Sequence, residues 1–409
     1  MTKQRKPRII FLTQYYPPET GAPQNRISYM AQGLLEIGYD VRVITAIPNY
    51  PLGKFYPGYK HKLFIKTIQK GVPVFHCWLF TSASTKIFFR LINYFSFVVS
   101  SAIIGSFCLP KIDLFIVESP PLFLTISAWW LSKIKNARIV LNISDLYPET
   151  AISLGMLRQA WLKKIFYAFE AWSYKISFLI TGQTEGIVNS IRQRFPKKRV
   201  LLLTNGIDFQ SHVNENKPKL TKTDRFIIGY AGVFGYAQDL HKVIETAMEL
   251  INFPEIEFHL YGDGPVLDSL KEEVEKHNLK NVMLLGHRAH TEIISLMGSW
   301  KIGLVPLLDV PLMSGALPSK MLEVMGLGLP VLLWAPEGEA SRIILKANGG
   351  VWVSPDSPVS IGEAIIRLYN DQDLCNTLGN NANHYVKQHF DRNSILKKFI
   401  NVLNEELDL

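Results

Sequence analysis

Short unbroken apolar runs alternate along this chain with stretches whose apolar positions recur at helical spacing, and the alternation predicts its elements. Residues 8–13 read as a buried strand, a helix over about 24–37 is stopped by Gly38, and residues 41–45 form the next strand. Strand, loop, helix and strand in that space make a βαβ unit of a parallel sheet. The pattern continues with strands at 113–118, 138–143, 178–181 and 199–203 and helices at about 121–135, 157–176 and 186–194. A polar linker over 204–223 carries Asn, Lys and Pro218. A second series then places strands at 226–231, 256–261, 282–285 and 302–305, with helices at 239–251, 266–277 and 290–299 and a last one at about 392–407. The expected class is α/β, with two Rossmann-like, doubly wound parallel-sheet domains. They span 1–204 and 205–390, and the helix over about 391–409 is expected to pack back on the first. Every polar or glycine-rich loop follows a strand, at the sheet edge where such folds bind ligands. Two such edges facing each other would form a cleft.

Two stretches stand apart from the alternation. Residues 46–62 read as a long loop bearing Lys54, Phe55, Tyr56, Tyr59, Lys60 and Lys62, and long loops of this kind are commonly functional. Residues 91–109 carry no charge and reach the length of a membrane span. Asn93, Ser96, Ser100 and Ser101 recur at helical spacing, however, and residues 113–118 resume the sheet directly after Pro110. The expectation is a core helix with one membrane-facing end.

Charge adds a boundary that hydropathy does not show. Residues 1–200 hold 26 Lys/Arg against 9 Asp/Glu, a net of +17, whereas residues 201–409 hold 18 against 26, a net of −8. The basic half suits an anionic surface, a membrane or a nucleic acid, although a solvated face would look the same. Cys77, Cys108 and Cys375 are far apart with no CxxC pair, which argues for a reducing compartment and against structural zinc. The apolar run at 9–12 is too short for a signal-peptide core, so a cytoplasmic protein is expected.

The candidate chemistry concentrates in residues 312–331. A loop containing Gly315, Ala316 and Leu317 runs into Pro318, Ser319 and Lys320, and an apolar-spaced helix follows with Glu323 in its first turn. Ser319 is the expected N-cap, Gly326 and Gly328 end the helix, and Pro330 precedes a strand. A helix start reached through small residues offers N–H groups and partial positive charge to a phosphate; an ordinary loop–helix–strand unit is the plainer alternative. Gly21, in the first strand-to-helix loop, and Gly235, in the loop after 226–231, would let backbone approach the same diphosphate. His287 and Arg288 follow a strand and would border a base. Asp145 and Glu149, four apart beyond a strand end, would orient or deprotonate an acceptor hydroxyl, or merely cap the next helix. The first loop lacks the GxGxxG of dinucleotide sites.

Six motifs carry a resemblance. They are Tyr16-Pro17-Pro18-Glu19-Thr20-Gly21-Ala22, Asp145-Leu146-Tyr147-Pro148-Glu149, Thr204-Asn205-Gly206-Ile207-Asp208, Gly229-Tyr230-Ala231-Gly232, Tyr261-Gly262-Asp263-Gly264-Pro265 and Leu317-Pro318-Ser319-Lys320-Met321-Leu322-Glu323. In order and spacing the chain resembles the GT-B glycosyltransferases of family 4, of the bacterial surface-polysaccharide type that includes L-fucosamine transferases. The family's donor motif has two glutamates separated by seven residues. The second falls on Glu323, which the resemblance makes the ribose ligand, and the first falls on Gly315, so a sugar-side carboxylate is missing.

The resemblance implies a retaining glycosyltransferase that moves a sugar from a nucleotide-sugar, a UDP-sugar by expectation, to a polyprenyl-diphosphate-linked saccharide in exopolysaccharide, capsule or O-antigen synthesis. It implies a metal-independent site with no cofactor, in which the departing phosphate takes the acceptor proton. Lys320, Asp145 and Glu149 are then the catalytic candidates. Gly21, Gly235, His287, Arg288, Gly315, Ala316, Leu317, Ser319, Lys320 and Glu323 lie on the donor side, and Glu19, Asp145 and Glu149 on the acceptor side. An anionic membrane, at the inner face of the cytoplasmic membrane, is the expected partner surface, and no nucleic acid is expected. A nucleotide-sugar hydrolase or epimerase on the same fold and an NAD-dependent Rossmann oxidoreductase are the rivals.

Overall fold

The apolar runs enter two sheets in a computed structural model that describes residues 6–50, 53–82, 84, 86–153, 157–209, 225–355, 357 and 360–406. The chain divides into two units, residues 1–203 and 204–409. The first sheet contains β1 (Arg8–Leu12), β2 (Asp40–Ala46), β3 (Phe64–Gln69), β4 (Val72–Cys77), β5 (Leu114–Ser119), β6 (Arg138–Ile143), β7 (Leu179–Gly182) and β8 (Val200–Leu202), in the order β3-β4-β2-β1-β5-β6-β7-β8. All pairs are parallel except β3 with β4. Helices cover both faces of the central strands, so β5 is buried at every position and its sequence is continuous rather than alternating. The β3–β4 hairpin is an addition to the sequence reading. Its turn places Lys70 and Gly71 at positive φ (48° and 81°), as a tight hairpin turn requires.

The second sheet contains β9 (Phe226–Ala231), β10 (Ile256–Tyr261), β11 (Val282–Leu284), β12 (Ile302–Pro306), β13 (Val331–Trp334) and β14 (Gly350–Val353), in the order β11-β10-β9-β12-β13-β14 and parallel throughout. The last helix, Arg392–Glu406, belongs to this unit. Its start is tied to the residues after the linker: Ile207 N donates to Phe390 O at 2.8 Å and Arg392 Nε to Gly206 O at 2.6 Å. Linker positions 210–224 lie outside the described residues.

The uncharged run forms the helix Ile87–Cys108, and only one side of it is core. Phe97, Val98, Ser101 and Gly105 are buried, while Phe95, Val99, Ile103 and Phe107 are exposed, so the apolar surface runs along the helix rather than at one end. The polar seam is a packing seam. Asn93 Nδ2 donates to Phe80 O at 2.6 Å, Ser96 Oγ accepts from Phe80 N at 2.8 Å, and Ser101 Oγ meets Ser127 Oγ at 2.9 Å.

Candidate functional site

In the second sheet the chain runs outward from β9 to β10 and β11, then returns to the other side of β9 as β12. That reversal leaves a crevice beyond the carboxyl ends of β9 and β12. Backbone bonds knit the loops on one flank. Gly232 N donates to Tyr261 O and Gly262 N to Gly286 O, both at 2.9 Å, and Phe234 N donates to Asp263 O at 2.9 Å. Glycine is what permits such contact: a Cβ on Gly262 would lie 1.9 Å from Gly232 O, and one on Gly264 would lie 2.4 Å from Phe234 O. Gly235, expected to approach the diphosphate, has an extended φ of −104°, and a Cβ there would meet the side chains of Gln238 and Val233.

The other flank is the helix Ser319–Gly326. Its N-cap is Pro318, extended at φ −63° and ψ 127°, so Ser319 is the first helical residue and not the cap. Glu323 consequently lies beyond the first turn. Ser319 is exposed, whereas Ala316 and Leu317 pack partly against the core beneath. Lys320 Nζ donates to Tyr230 Oη at 2.8 Å and sits 4.2 Å from the centre of that ring. A Cβ on Gly232 would come within 2.8 Å of the same ammonium, so glycine there makes room for the cation. Burial pushes the Lys320 amine down to about 8, against the opposing pull of Glu323. Glu323 Oε1 lies 3.4 Å from His290 Nε2. Gly315 is exposed, and a Cβ added there would meet nothing within 4 Å. His287 and Arg288 are exposed after β11, and Arg288 Nε lies 3.4 Å from Glu292. The crevice thus joins Lys320 to Tyr230 and Gly232, and Glu323 to His290. Tyr230 and Gly232 stand in one of the sequence motifs without a role attached, and His290 in none, because what they do lies in contacts with residues far along the chain.

The first sheet has its own reversal between β1 and β5. There the carboxyl ends are filled by a buried polar cluster. Arg26 pairs with Glu118, and Arg26 Nη2 also donates to Ser144 Oγ at 2.8 Å. Asn142 Nδ2 donates to Glu118 Oε2 at 2.6 Å, Ser144 Oγ donates to the other Glu118 oxygen, and Thr181 Oγ1 donates to Asn142 Oδ1 at 2.6 Å. Asp145 is the next residue and is open to solvent. Desolvation of its carboxyl beside that cluster raises its pKa, the charge of Glu118 adds to the rise, and Arg26 opposes it. Glu149, expected beside the acceptor, is committed elsewhere: Arg194 pairs with both Glu149 and the buried Glu170. With its carboxylate held by that guanidinium, Glu149 fastens the short helix Glu149–Ser153 to its neighbours. Glu19 is buried, and its Oε1 accepts from Asn49 N at 2.7 Å and Tyr50 N at 2.8 Å. Burial raises it to about 7 against those bonds, and its observed role is to anchor the start of the 46–62 loop. Gly21 precedes the helix Ala22–Glu36 as its N-cap.

Comparison with known proteins agrees with this architecture. Residues 21–206 match the Glycosyl transferase 4-like domain family, and residues 212–385 match Glycosyl transferases group 1. A putative colanic acid biosynthesis glycosyl transferase of Escherichia coli, WcaI, is 25% identical over 402 residues, covering 94% of this chain and 97% of the relative. Among solved structures, sucrose-phosphate synthase from Thermosynechococcus elongatus aligns with a TM-score of 0.75 at 15% identity, covering 98% of this chain and 99% of that one. HepE of Anabaena, solved in complex with UDP, aligns with a TM-score of 0.70 at 17% identity, covering 97% of this chain and all of the other.

Proposed function

The chain belongs to the GT-B glycosyltransferases of family 4, of the type engaged in bacterial surface-polysaccharide biosynthesis, and from that premise we propose that it transfers a sugar from a UDP-sugar to a lipid-linked saccharide with retention of configuration. The observation that carries the donor reading is the Lys320 ammonium, held on Tyr230 Oη beside Gly232 at the β9/β12 reversal. A diphosphate needs cations and N–H donors, and Lys320 with the amides at the start of its helix supplies both. Glu323 accepts the ribose hydroxyls and His290 orients it, while His287 and Arg288 border the base. UDP is the proposed nucleotide because HepE, which shares the fold, was solved with it.

The reaction breaks the bond between the anomeric carbon and the departing phosphate oxygen and forms one to the acceptor oxygen on the same face. The acceptor proton passes to the departing oxygen, so no protein nucleophile is required. Lys320 and the helix amides act by stabilising the charge that gathers on the leaving diphosphate. Asp145 orients the acceptor hydroxyl in the first unit, and the Arg26–Glu118–Ser144 cluster fixes the residue before it. No metal or other cofactor takes part in this scheme, so EDTA should leave turnover intact. The acceptor is a polyprenyl-diphosphate-linked saccharide, and the enzyme works as a peripheral protein on the inner face of the cytoplasmic membrane.

The test is an assay with UDP-sugars and a lipid-linked acceptor, in which NMR reads the anomeric configuration of the product. An inverted linkage would refute the retaining scheme. Sugar release at an undiminished rate without acceptor would indicate a hydrolase. A thermal-shift panel of UDP-, GDP- and ADP-sugars identifies the base, because a ligand stabilises only the state it binds.

A further inference from the structure

By the right-handed crossover rule, the helix between β1 and β2 lies on one face of the first sheet, and those following β4, β5 and β6 lie side by side on the other. Those three are Ile87–Cys108, Leu124–Lys135 and Ala160–Ile176. Direct contacts confirm that they are neighbours. Trp130 Nε1 donates to Ser106 Oγ at 3.2 Å, Thr125 Oγ1 lies 2.9 Å from Ser173 Oγ, and the Trp129 and Trp172 rings are 6.0 Å apart. Their outward surface is apolar to an unusual degree: Phe107 is 86% exposed, Phe88 65%, Trp161 62% and Val99 56%. A groove with nearly all-apolar walls, among them Trp78, Leu91 and Ile103, runs along the first helix. Large contiguous apolar surface is rare on a protein that meets only water.

Charge identifies what covers it. The three helices carry six basic residues, Arg90, Lys133, Lys135, Lys163, Lys164 and Lys175, against one acid, Glu170, which is buried in its pair with Arg194. Aromatic and aliphatic side chains beside lysines form the pattern of a surface that enters an anionic lipid headgroup layer.

The helix Ile87–Cys108 is the one described helix long and apolar enough to cross a membrane. Its ends forbid crossing. It follows β4 and precedes β5, both locked into the same sheet by register with β2 and β1. We infer that the outer face of these three helices seats on an anionic bilayer, with Ile87–Cys108 lying in the plane of the interface. This rests on the membrane-surface reading above and names the surface responsible.

The cysteines provide a probe, since Cys108 is exposed and Cys77 and Cys375 are buried. A polarity-sensitive dye on Cys108 should shift to the blue when vesicles of phosphatidylglycerol and phosphatidylcholine in equal parts are added. The same dye on Phe88→Cys in a Cys108→Ser background should report a similar depth in lipid-quencher experiments. In flotation, the whole protein should bind these vesicles more weakly as salt rises. The Val99→Glu/Ile103→Glu variant, altered only at exposed positions, should lose about tenfold or more in partition while its UDP-induced thermal shift is kept. If the wild type floats but the variant floats equally and the Cys108 dye stays in water, this surface assignment is overturned and the membrane reading survives. If the wild type fails to float at low salt, the membrane reading falls with it. Opposite depths for the two dyes would mean spanning and would also overturn the inference.

Discussion

The strand ends of the two units solve different problems with similar topology. In the first unit the reversal point is filled: Arg26, Glu118, Asn142 and Ser144 bond to one another, and Glu19 is taken up by the backbone of Asn49 and Tyr50. In the second, glycine backbones are stitched into a floor, and the polar groups above it remain half open, with Lys320 on Tyr230, Glu323 near His290 and nothing around Gly315. Buried charge held by several neighbours sets structure, whereas charge anchored on one side only is available to a ligand. Perturbing the first set should cost stability, and perturbing the second should cost binding.

The largest effect should come from Arg26→Met. It strands Glu118, which is 2% exposed, in the interior, and about 3–5 kcal/mol of stability in the first unit should be lost in urea unfolding, with UDP affinity unchanged. Next is Lys320→Ala. Removing a charge-assisted contact to the diphosphate should weaken UDP by about 2 kcal/mol, roughly thirtyfold, with little change in the melting temperature of the free protein. A loss of stability without loss of affinity would erase the contrast between the units.

The titrations sharpen the same comparison. Lys320, at about 8, loses its charge as pH rises through that value, so kcat/KM for the donor should fall above about pH 8. A bound diphosphate favours the cation, so kcat should hold to higher pH. Glu19 affects folding instead. Its folded pKa of about 7 exceeds the value of 4.5 expected for an unperturbed glutamate, so the folded state binds its proton more tightly. Its favourable contribution is complete below about 4.5 and is lost as pH rises through about 7. Glu19→Gln should flatten that part of the stability profile, as read by urea midpoints at pH 5 and pH 8. The smallest effect belongs to Gly315→Glu. Open space around the position should keep its cost to folding within about 0.5 kcal/mol, and the change should appear in the choice of donor sugar rather than in UDP affinity.

Much of this was legible in the sequence for a local reason. Strands such as 226–231 and helices such as 319–326 are set by continuous apolar runs and by proline and glycine at their ends. Relations across the chain were not legible. Tyr230 meets Lys320 from 90 positions away, and Glu149 is taken by Arg194 from 45 away, so neither partner shows in a local pattern. Ser319 looked like a cap because serine commonly is one, yet Pro318 took the extended N-cap conformation. The β3–β4 hairpin did leave a signal, the Lys70-Gly71 turn between apolar runs. The exposed face of Ile87–Cys108 left only half of one, since its seam of Asn and Ser marks the packed side and is silent about the other.

Calorimetric titration of UDP into the wild type, Lys320→Ala and Glu323→Ala tests the donor site most directly. Saturable binding by the wild type, with marked weakening in both variants and unchanged folding, is the expected result. Equal affinity in all three would contradict a donor site at the start of the Ser319–Gly326 helix.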